Sequence, residues 1–156
     1  MPDTCQFQHS LSTAVNLRYN VCNISTCERS ALMKDFRSVT FLPCSDIKAT
    51  AQFYRDILKL RVRAVQGDNL YIFDTGYGYW GFCQYRDGRK PLSGDKGVCL
   101  SLNLGSDEEV MEVYRHIKEI CRIYREPAVH PNFPVYSFFI LDPDGYLVEI
   151  QHTALV

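Results

Sequence analysis

The chain has 156 residues, which is enough for one domain with a hydrophobic core of its own. Its 17 basic and 18 acidic residues leave a net charge of -1 without a basic stripe, so we expect no nucleic-acid partner. No apolar run reaches the length of a membrane span, so we expect no membrane partner. Seven cysteines without Cys-x-x-Cys spacing, in a chain whose amino terminus lacks a signal-peptide pattern, predict reduced thiols in the cytoplasm.

Residues 1–32 differ in composition from the rest of the chain. They are rich in Ser, Thr, Asn and Gln, contain three of the seven cysteines and show no sustained hydrophobic period. One interpretation is an appendage, or an upstream start, in front of a domain at 33–156. The other is a short extra helix that covers the edge of the domain. Limited proteolysis separates them, since residues 1–32 that stay intact on the folded protein would contradict the appendage.

The first half of the domain, about 36–86, has the pattern of a strand, a helix and three further strands. Residues 38–42 are β-prone, and Ser45 or Asp46 can cap the helix that follows. Apolar residues then recur at helical spacing, and glycine-containing turns separate the later segments. The three later strands are predicted at Arg61–Val65, Leu70–Asp74 and Tyr79–Tyr85.

A polar linker over 86–96 leads to a second half, about 96–152, in which the same order of elements returns. Ser106 and Glu109 have the spacing of a capping box, and an apolar stripe runs from there to Ile120. We expect Arg122 and Arg125 to complement the carboxyl end of this helix. The strands of this half are predicted at Val98–Leu104, near Ala128, at Val135–Leu141 and at Tyr146–Gln151.

This repeated order predicts an α+β fold of two tandem β-α-β-β-β units. A strand-helix-strand crossover followed by hairpins gives a mixed sheet with its helices on one face. We therefore expect a mixed sheet with the helices on its outer face, which leaves the other face free to line a cavity.

Three segments carry the most distinctive residues of the domain: Ser45-Asp46-Ile47, Phe53-Tyr54-Arg55-Asp56-Ile57-Leu58, and Asp142-Pro143-Asp144-Gly145-Tyr146-Leu147-Val148-Glu149-Ile150. With the order of elements, they resemble the vicinal oxygen chelate superfamily, which includes glyoxalase I, bleomycin-resistance proteins, ring-cleaving dioxygenases and fosfomycin-resistance transferases. The resemblance covers about 36–152 and implies the U-shaped fold, a small-molecule ligand and a homodimer.

The resemblance also implies where a metal would bind. In that superfamily four inward-facing His or Glu side chains, from the first and last strand of each unit, usually hold a divalent ion. Glu149 matches the position in the final strand. The other three positions fall at Val39, at or near Cys83, and at Cys99, with Val98 as the choice after a one-residue slip. Three of the four depart from the usual ligands, so we expect no cofactor, and a divalent metal is the alternative.

Glu149 is the main candidate for a functional side chain. One interpretation is a solvent-facing residue of an alternating edge strand. The other depends on a four-residue loop at Asp142–Gly145, which would put residue 138 opposite Glu149. Tyr136 and Phe138 would then share its face and form the wall of a pocket around one carboxylate, and we favour this second interpretation.

Cys83 and Cys99 also allow two interpretations. If both face the cavity beside Glu149, the three side chains form a site for zinc or another soft metal, or one thiol reacts with a substrate. The alternative, which the high cysteine count favours, is that both are small buried hydrophobic residues.

The other predicted pocket residues lie on the same strands. Tyr79 and Tyr85 share the predicted face of Cys83 and can stack against a flat ligand, whereas the alternative is that these rings pack in the β core. The complete predicted pocket consists of Val39, Phe41, Tyr79, Cys83, Tyr85, Cys99, Ser101, Tyr136, Phe138 and Glu149.

Two functions of different classes follow from these residues. The first is a metal-independent protein of the bleomycin-resistance type that binds a small, flat, aromatic ligand. The second is a lyase, isomerase or dioxygenase-like enzyme in which Glu149, with unusual ligands such as Cys83 and Cys99, holds a metal or carries a proton. Loss of the usual ligands favours the first, and a pocket carboxylate without a cation opposite it favours the second.

Overall fold

The structure is a computed structural model and describes residues 38–155. The predictions for residues 1–32 lie outside these residues. The first unit consists of β1 (Val39–Pro43), α1 (Ile47–Gln52) with a π-helical continuation (Phe53–Ile57), β2 (Arg61–Gln66), β3 (Leu70–Asp74) and β4 (Tyr79–Cys83). The second consists of β5 (Cys99–Asn103), α2 (Asp107–Ile117), β6 (Arg122–Val129), β7 (Tyr136–Leu141) and β8 (Leu147–His152).

The strands form two four-stranded mixed sheets of the same topology. Their orders are β1-β4-β3-β2 and β5-β8-β7-β6, and the first two strands of each order are parallel while the other pairs are antiparallel. The predicted α+β fold with tandem β-α-β-β-β units is therefore confirmed. The two sheets do not close into one, so each has a face opposite its helix, which we call its open face.

Each helix begins where its sequence provides a capping residue. The Asp46 carboxylate accepts hydrogen bonds from the backbone N–H groups of Lys48 and Ala49 at 2.9 and 3.3 Å. The Ser106 hydroxyl accepts one from the Glu109 N–H at 3.2 Å. These bonds satisfy amide groups that have no partner inside the helix.

The second helix ends earlier than predicted. It stops at Ile117, and Ile120 is 60% exposed rather than part of the apolar stripe. Arg122 and Arg125 are residues of β6 and not of the helix terminus. Isoleucine and tyrosine in this segment favour an extended chain, and pairing with β7 outweighs the continued helix.

The core lies between each helix and its sheet. In the first unit Tyr54 from the π-helical turn stacks on Phe82 with ring centroids 4.3 Å apart, and Phe73 completes the cluster. In the second unit Val110 packs with the helix-facing residues of β7 and β8. Leu100 and Leu102 of β5 belong to this core, as predicted. The helix-facing sides are therefore apolar, and ligand contacts have to come from the open faces.

The register between β7 and β8 differs from the prediction. Leu141 pairs with Leu147, so the connecting turn has five residues, 142–146, and the Asp142 N–H donates to the Tyr146 carbonyl at 3.0 Å. Glu149 consequently pairs with Phe139 and not with Phe138. The extra turn residue is Tyr146, which stays out of the ladder because its ring is buried and its hydroxyl donates to the Pro43 carbonyl at 2.9 Å.

This turn also joins the two units. Asp142 is 6% exposed and accepts a hydrogen bond from the Tyr54 hydroxyl at 3.0 Å. It accepts two more from the N–H groups of Tyr146 and Asp144 at 2.8 and 2.9 Å. The Asp144 carboxylate in turn accepts the N–H of Ser45, beside the first helix, at 3.0 Å. The segment predicted only as a turn is thus part of the contact between the units.

No helix within residues 38–155 combines the length and the hydrophobicity that crossing a membrane requires.

Candidate functional site

The two open faces are built from equivalent strand pairs. Val39 pairs with Tyr79 at the start of β1 and β4, and Cys99 pairs with Leu147 at the start of β5 and β8. Two residues further along, Ser101 pairs with Glu149 in the second sheet. The equivalent pair of the first sheet is Phe41 with Gly81.

The second open face has a polar cluster at its centre. The Ser101 hydroxyl donates a hydrogen bond of 2.5 Å to Oε2 of Glu149. Cys99 precedes them on the same face, and burial raises the pKa of its thiol. The negative charge of Glu149 raises this pKa further, whereas Ser101, the Glu149 backbone N–H and the positive charge of Arg125 oppose the shift. Cys99 is therefore a protonated thiol at neutral pH.

Arg125 is a member of this face that the sequence analysis placed at a helix end. It pairs with Phe139, and its guanidinium carbon lies 4.0 Å from the centre of that ring. Phe139 pairs in turn with Glu149, so the guanidinium above the Phe139 ring lies one strand away from the strand that carries Glu149. The run Ile120–Arg125, with its isoleucines and tyrosine, was the sequence signal for a strand that would have brought Arg125 here.

A cleft of about 650 Å³ opens on the same face. Cys99, Leu141 and Leu147 line its floor, and Tyr124 lines one side. Residues 94–98, from the end of the linker to the residue before β5, line another side. Its volume is in the range of small-molecule sites, about 300–1,000 Å³. The lining is largely apolar, so the cleft suits a ligand with an apolar body.

The predicted pocket residues of the first unit lie on the other sheet. Val39 and Phe41 are 41% and 54% exposed on its open face. Tyr79 borders a shallow recess with Arg61 and Asp74. Cys83 is half-buried, with the Asn69 amide 3.9 Å from its sulfur.

Tyr85 lies beyond the end of β4, and the guanidinium of Arg89 stacks 3.9 Å above its ring.

Tyr136 and Phe138 do not share the face of Glu149, contrary to the prediction. Phe138 is fully buried, and its ring meets that of Tyr114 of α2 edge to face at 5.3 Å. The Tyr136 hydroxyl donates to the sulfur of Met111, also on α2, at 3.0 Å. Both residues face the helix because of the five-residue turn, since a register shift by one residue moves side chains to the opposite face.

The position predicted at or near Cys83 is two residues away from the true equivalent of Glu149. That equivalent is Gly81, which has no side chain. A Cβ placed on Gly81 would lie 2.6 Å from the ring of Phe41, so this ring covers the position. The first sheet therefore offers a phenyl ring where the second offers a hydroxyl and a carboxylate.

These residues do not fit the usual four-ligand metal site. Val39 and Gly81, at the positions equivalent to Cys99 and Glu149, contribute no ligating side-chain atom. Arg125 stacks on Phe139, the cross-strand neighbour of Glu149, where its positive charge opposes a bound cation. Within residues 38–155, no three His, Cys, Asp or Glu side chains are grouped as metal ligands. Glu149 keeps one carboxylate oxygen, Oε1, towards which no donor of the described chain is directed.

Solved structures of several bacterial proteins share the fold. A lactoylglutathione lyase from Agrobacterium tumefaciens is 22% identical, with a TM-score of 0.59 over 76% of this chain and 93% of that chain. A putative glyoxalase from Bacillus halodurans is 20% identical, with a TM-score of 0.64 over 78% of this chain and 98% of that chain. A glyoxalase/bleomycin resistance protein/dioxygenase family enzyme from Burkholderia phytofirmans is 19% identical, with a TM-score of 0.62 over 74% and 96%. At these identities the likeness concerns the fold alone.

No curated protein matches the chain. The family model described as Glyoxalase/Bleomycin resistance protein/Dioxygenase superfamily matches residues 37–150, which include both units and the turn at Asp142. Together with the paired four-stranded sheets, this match shows that the chain belongs to the glyoxalase/bleomycin resistance protein/dioxygenase superfamily.

Proposed function

We propose that this protein binds a small, flat, aromatic molecule in the cleft of the second open face and lacks the usual four-ligand metal site of its superfamily. The observation that carries the proposal is the composition of that face. An apolar cleft of about 650 Å³ adjoins the Ser101–Glu149 pair, which provides a few directed polar groups. Ligand sites commonly combine an apolar lining with a small number of such groups.

The ligand would lie with its apolar body on Leu141 and Leu147 and with one ring against Tyr124. Tyr124 is 64% exposed at the side of the cleft, so a bound ring can cover a surface that water now contacts. Stacking on an aromatic side chain adds about 0.5–1.5 kcal/mol to the free energy of burial. Glu149 would accept a hydrogen bond through Oε1, whereas Cys99 would act as part of the apolar floor.

Titration with 2-naphthamide, an uncharged flat aromatic probe, tests this function. We expect saturable binding of one molecule per chain by isothermal calorimetry, with affinity reduced at least about fivefold by Leu147→Gln, since a buried leucine side chain is worth about 1.5–3 kcal/mol. Leu92→Gln is the matched control, because Leu92 is 72% exposed outside the cleft lining. Absence of saturable binding, or equal loss in both variants, would contradict the proposal.

The alternative is a metal-dependent lyase, isomerase or dioxygenase-like enzyme that uses Glu149, with Cys83 and Cys99 as unusual ligands. Cys83 lies on the first sheet, whereas Cys99 and Glu149 lie on the second. The charges that act on the Cys99 thiol are those of Glu149 and Arg125 and not that of Cys83, which speaks against a metal held by all three side chains. Elemental analysis of the purified protein distinguishes the two functions. A stoichiometric divalent ion that is lost in Glu149→Ala would favour the enzyme.

We also propose that the protein is a cytoplasmic homodimer. The exposed side chains of Val39 and Phe41 form an apolar surface that a second copy can cover. Cys44, Cys83, Cys99 and Cys121 are free thiols, as expected for a reducing compartment. Light scattering on the purified protein tests the dimer, and a monomeric mass at micromolar concentration would contradict it.

A further inference from the structure

Equivalent arginines of the two units pair with different residues across the ladder. Arg61 opens β2 and pairs across the ladder with Asp74, and its guanidinium forms an ion pair of 2.5 Å with that carboxylate. Arg122 opens β6 at the equivalent position and pairs across the ladder with Leu141. Opposed residues of an antiparallel pair share a face, so Arg122 lies on the open face beside a leucine that lines the cleft. The second unit thus keeps the cation and replaces its carboxylate partner with an apolar side chain.

A second arginine lies next to it on β6. Arg125 stacks on Phe139, the neighbour of Glu149 across the ladder. In the part of the chain that the structure describes, neither Arg122 nor Arg125 forms an ion pair with a carboxylate. Both are exposed, and their N–H donors remain directed to solvent at the edge of an apolar cleft.

Five charged residues lie in or beside the cleft. Asp95 and Lys96 line it, Arg122 and Arg125 lie beside it on β6, and Glu149 lies on β8. Lys96 donates to the carbonyl of Leu92, and Asp95 accepts the N–H of Gly97 at 2.9 Å, so both are engaged within the linker. Glu149 accepts from Ser101, and its Oε1 can receive a donor of the ligand but not a negative charge. Among the described residues of this face, the two arginines are therefore the cations available to an anionic group.

From this geometry we infer that the ligand of the cleft is a carboxylic acid, with its carboxylate on Arg122 and Arg125 and its apolar body on Leu141 and Leu147. The inference rests on the proposed binding function and specifies its ligand class. The planar guanidinium fork matches a carboxylate with two parallel hydrogen bonds, and such charge-assisted bonds are stronger than neutral ones.

Comparison of 2-naphthoate with its neutral isostere 2-naphthamide tests the inference. We expect the carboxylate to bind at least about tenfold more tightly, the ratio that a charged hydrogen bond of about 1.5–3 kcal/mol produces. Arg122→Gln and Arg125→Gln should each reduce this preference without changing the affinity for 2-naphthamide. Arg63→Gln is the control, since Arg63 is an exposed arginine of the first sheet, on β2. The preference should also fall as NaCl is raised.

Leu141→Asp provides a second, independent variant. It recreates in the second unit the arrangement of Arg61 with Asp74 and should remove the preference for the carboxylate by neutralising Arg122. Equal binding of both naphthalenes to the wild-type protein would overturn the inference and leave the proposed binding function intact. If neither compound binds, both the inference and the proposed binding function are overturned.

Discussion

The two units share one ladder pattern and differ in what each open face presents to solvent. The first face is apolar at its centre, where Phe41 covers Gly81, and its cation Arg61 is neutralised by Asp74. The second face has Ser101 and Glu149 at the same positions and leaves Arg122 without a carboxylate. An internal repeat can therefore preserve backbone geometry while one copy presents polar side chains at the centre of its open face and the other an apolar surface.

The hairpin turns of the two units differ as well. The β3–β4 turn is exposed, with Tyr77 at 76%, and its Thr75 N–H bonds to the Gly78 carbonyl at 3.0 Å within the turn itself. The β7–β8 turn is one residue longer and buries both Asp142 and Tyr146 against the first unit. One additional residue thus changes a local turn into a contact between the units.

Asp142→Ala should cause the largest loss of stability of the variants considered, about 3 kcal/mol, because it leaves two buried donors and one half-buried donor without their acceptor. Asp74→Ala, in the exposed pair of the first unit, should cost much less. Urea unfolding of both variants measures the difference. A loss as small as that of Asp74→Ala would mean that the buried turn does not stabilise the contact between the units.

Stability should depend on pH with opposite sign at these two carboxyl groups. Burial raises the pKa of Asp142 from 3.8 to about 6, so its ionised form is penalised in the folded state. The contribution of Asp142 to the free energy of unfolding is therefore largest below the pKa of the unfolded chain, 3.8, and is lost as the pH rises through about 6. The hydrogen bond from Arg61 lowers the pKa of Asp74. The contribution of Asp74 to stability is therefore present above the pKa of the unfolded chain, 3.8, and is lost as the pH falls below it.

Asp142→Asn should remove the first of these two dependences. The free energy of unfolding of the wild type, relative to this variant, should fall by about 2 kcal/mol between pH 4.5 and 7.5. A carboxyl pKa raised from 3.8 to about 6 penalises the ionised form by about 3 kcal/mol, and the first part of that loss occurs below pH 4.5. Asp74→Asn should give a difference of the opposite sign, but below about pH 4, because the lowered pKa of Asp74 keeps this carboxyl ionised at higher pH. Denaturant titrations at several pH values test both, and equal signs would contradict the assignment.

Gly81→Ala should have the smallest effect, a loss of about 1 kcal/mol, because the new Cβ displaces the ring of Phe41. In a Phe41→Ser background, which copies the Ser101 position, the loss should disappear, because the ring is absent and alanine restricts the unfolded chain. A double-mutant cycle from thermal unfolding measures this coupling. Additive effects would show that the ring does not cover Gly81 in solution.

Much of the fold could be predicted from the sequence because its signals are local. The caps at Asp46 and Ser106, the helical periodicity and the glycine turns lie within a few residues of the elements they define. The inward position of Leu100 and Leu102 followed from strand alternation alone. Alternation could not determine the phase of β7 against β8, because that phase depends on whether Tyr146 joins the ladder.

The membership of the site was harder to predict. Glu149 and Ser101 were expected together and are hydrogen-bonded, whereas Tyr136 and Phe138 were assigned to the wrong face and Arg125 was assigned to a helix. Each error traces to one boundary: the length of the 142–146 turn or the end of α2 at Ile117. Such boundaries are decided by which contacts bury a side chain, and those contacts come from distant parts of the chain.

The sequence by itself determined the two β-α-β-β-β units and their caps, since these depend on residue type and spacing. The tertiary structure decided which residues meet. Burial of Tyr146 against Pro43 adds a residue to the turn, and this shifts Phe139 into line with Glu149. Pairing of β6 with β7 then brings Arg122 and Arg125 beside the cleft. These outcomes follow from packing between distant segments, for which a single sequence has no local pattern.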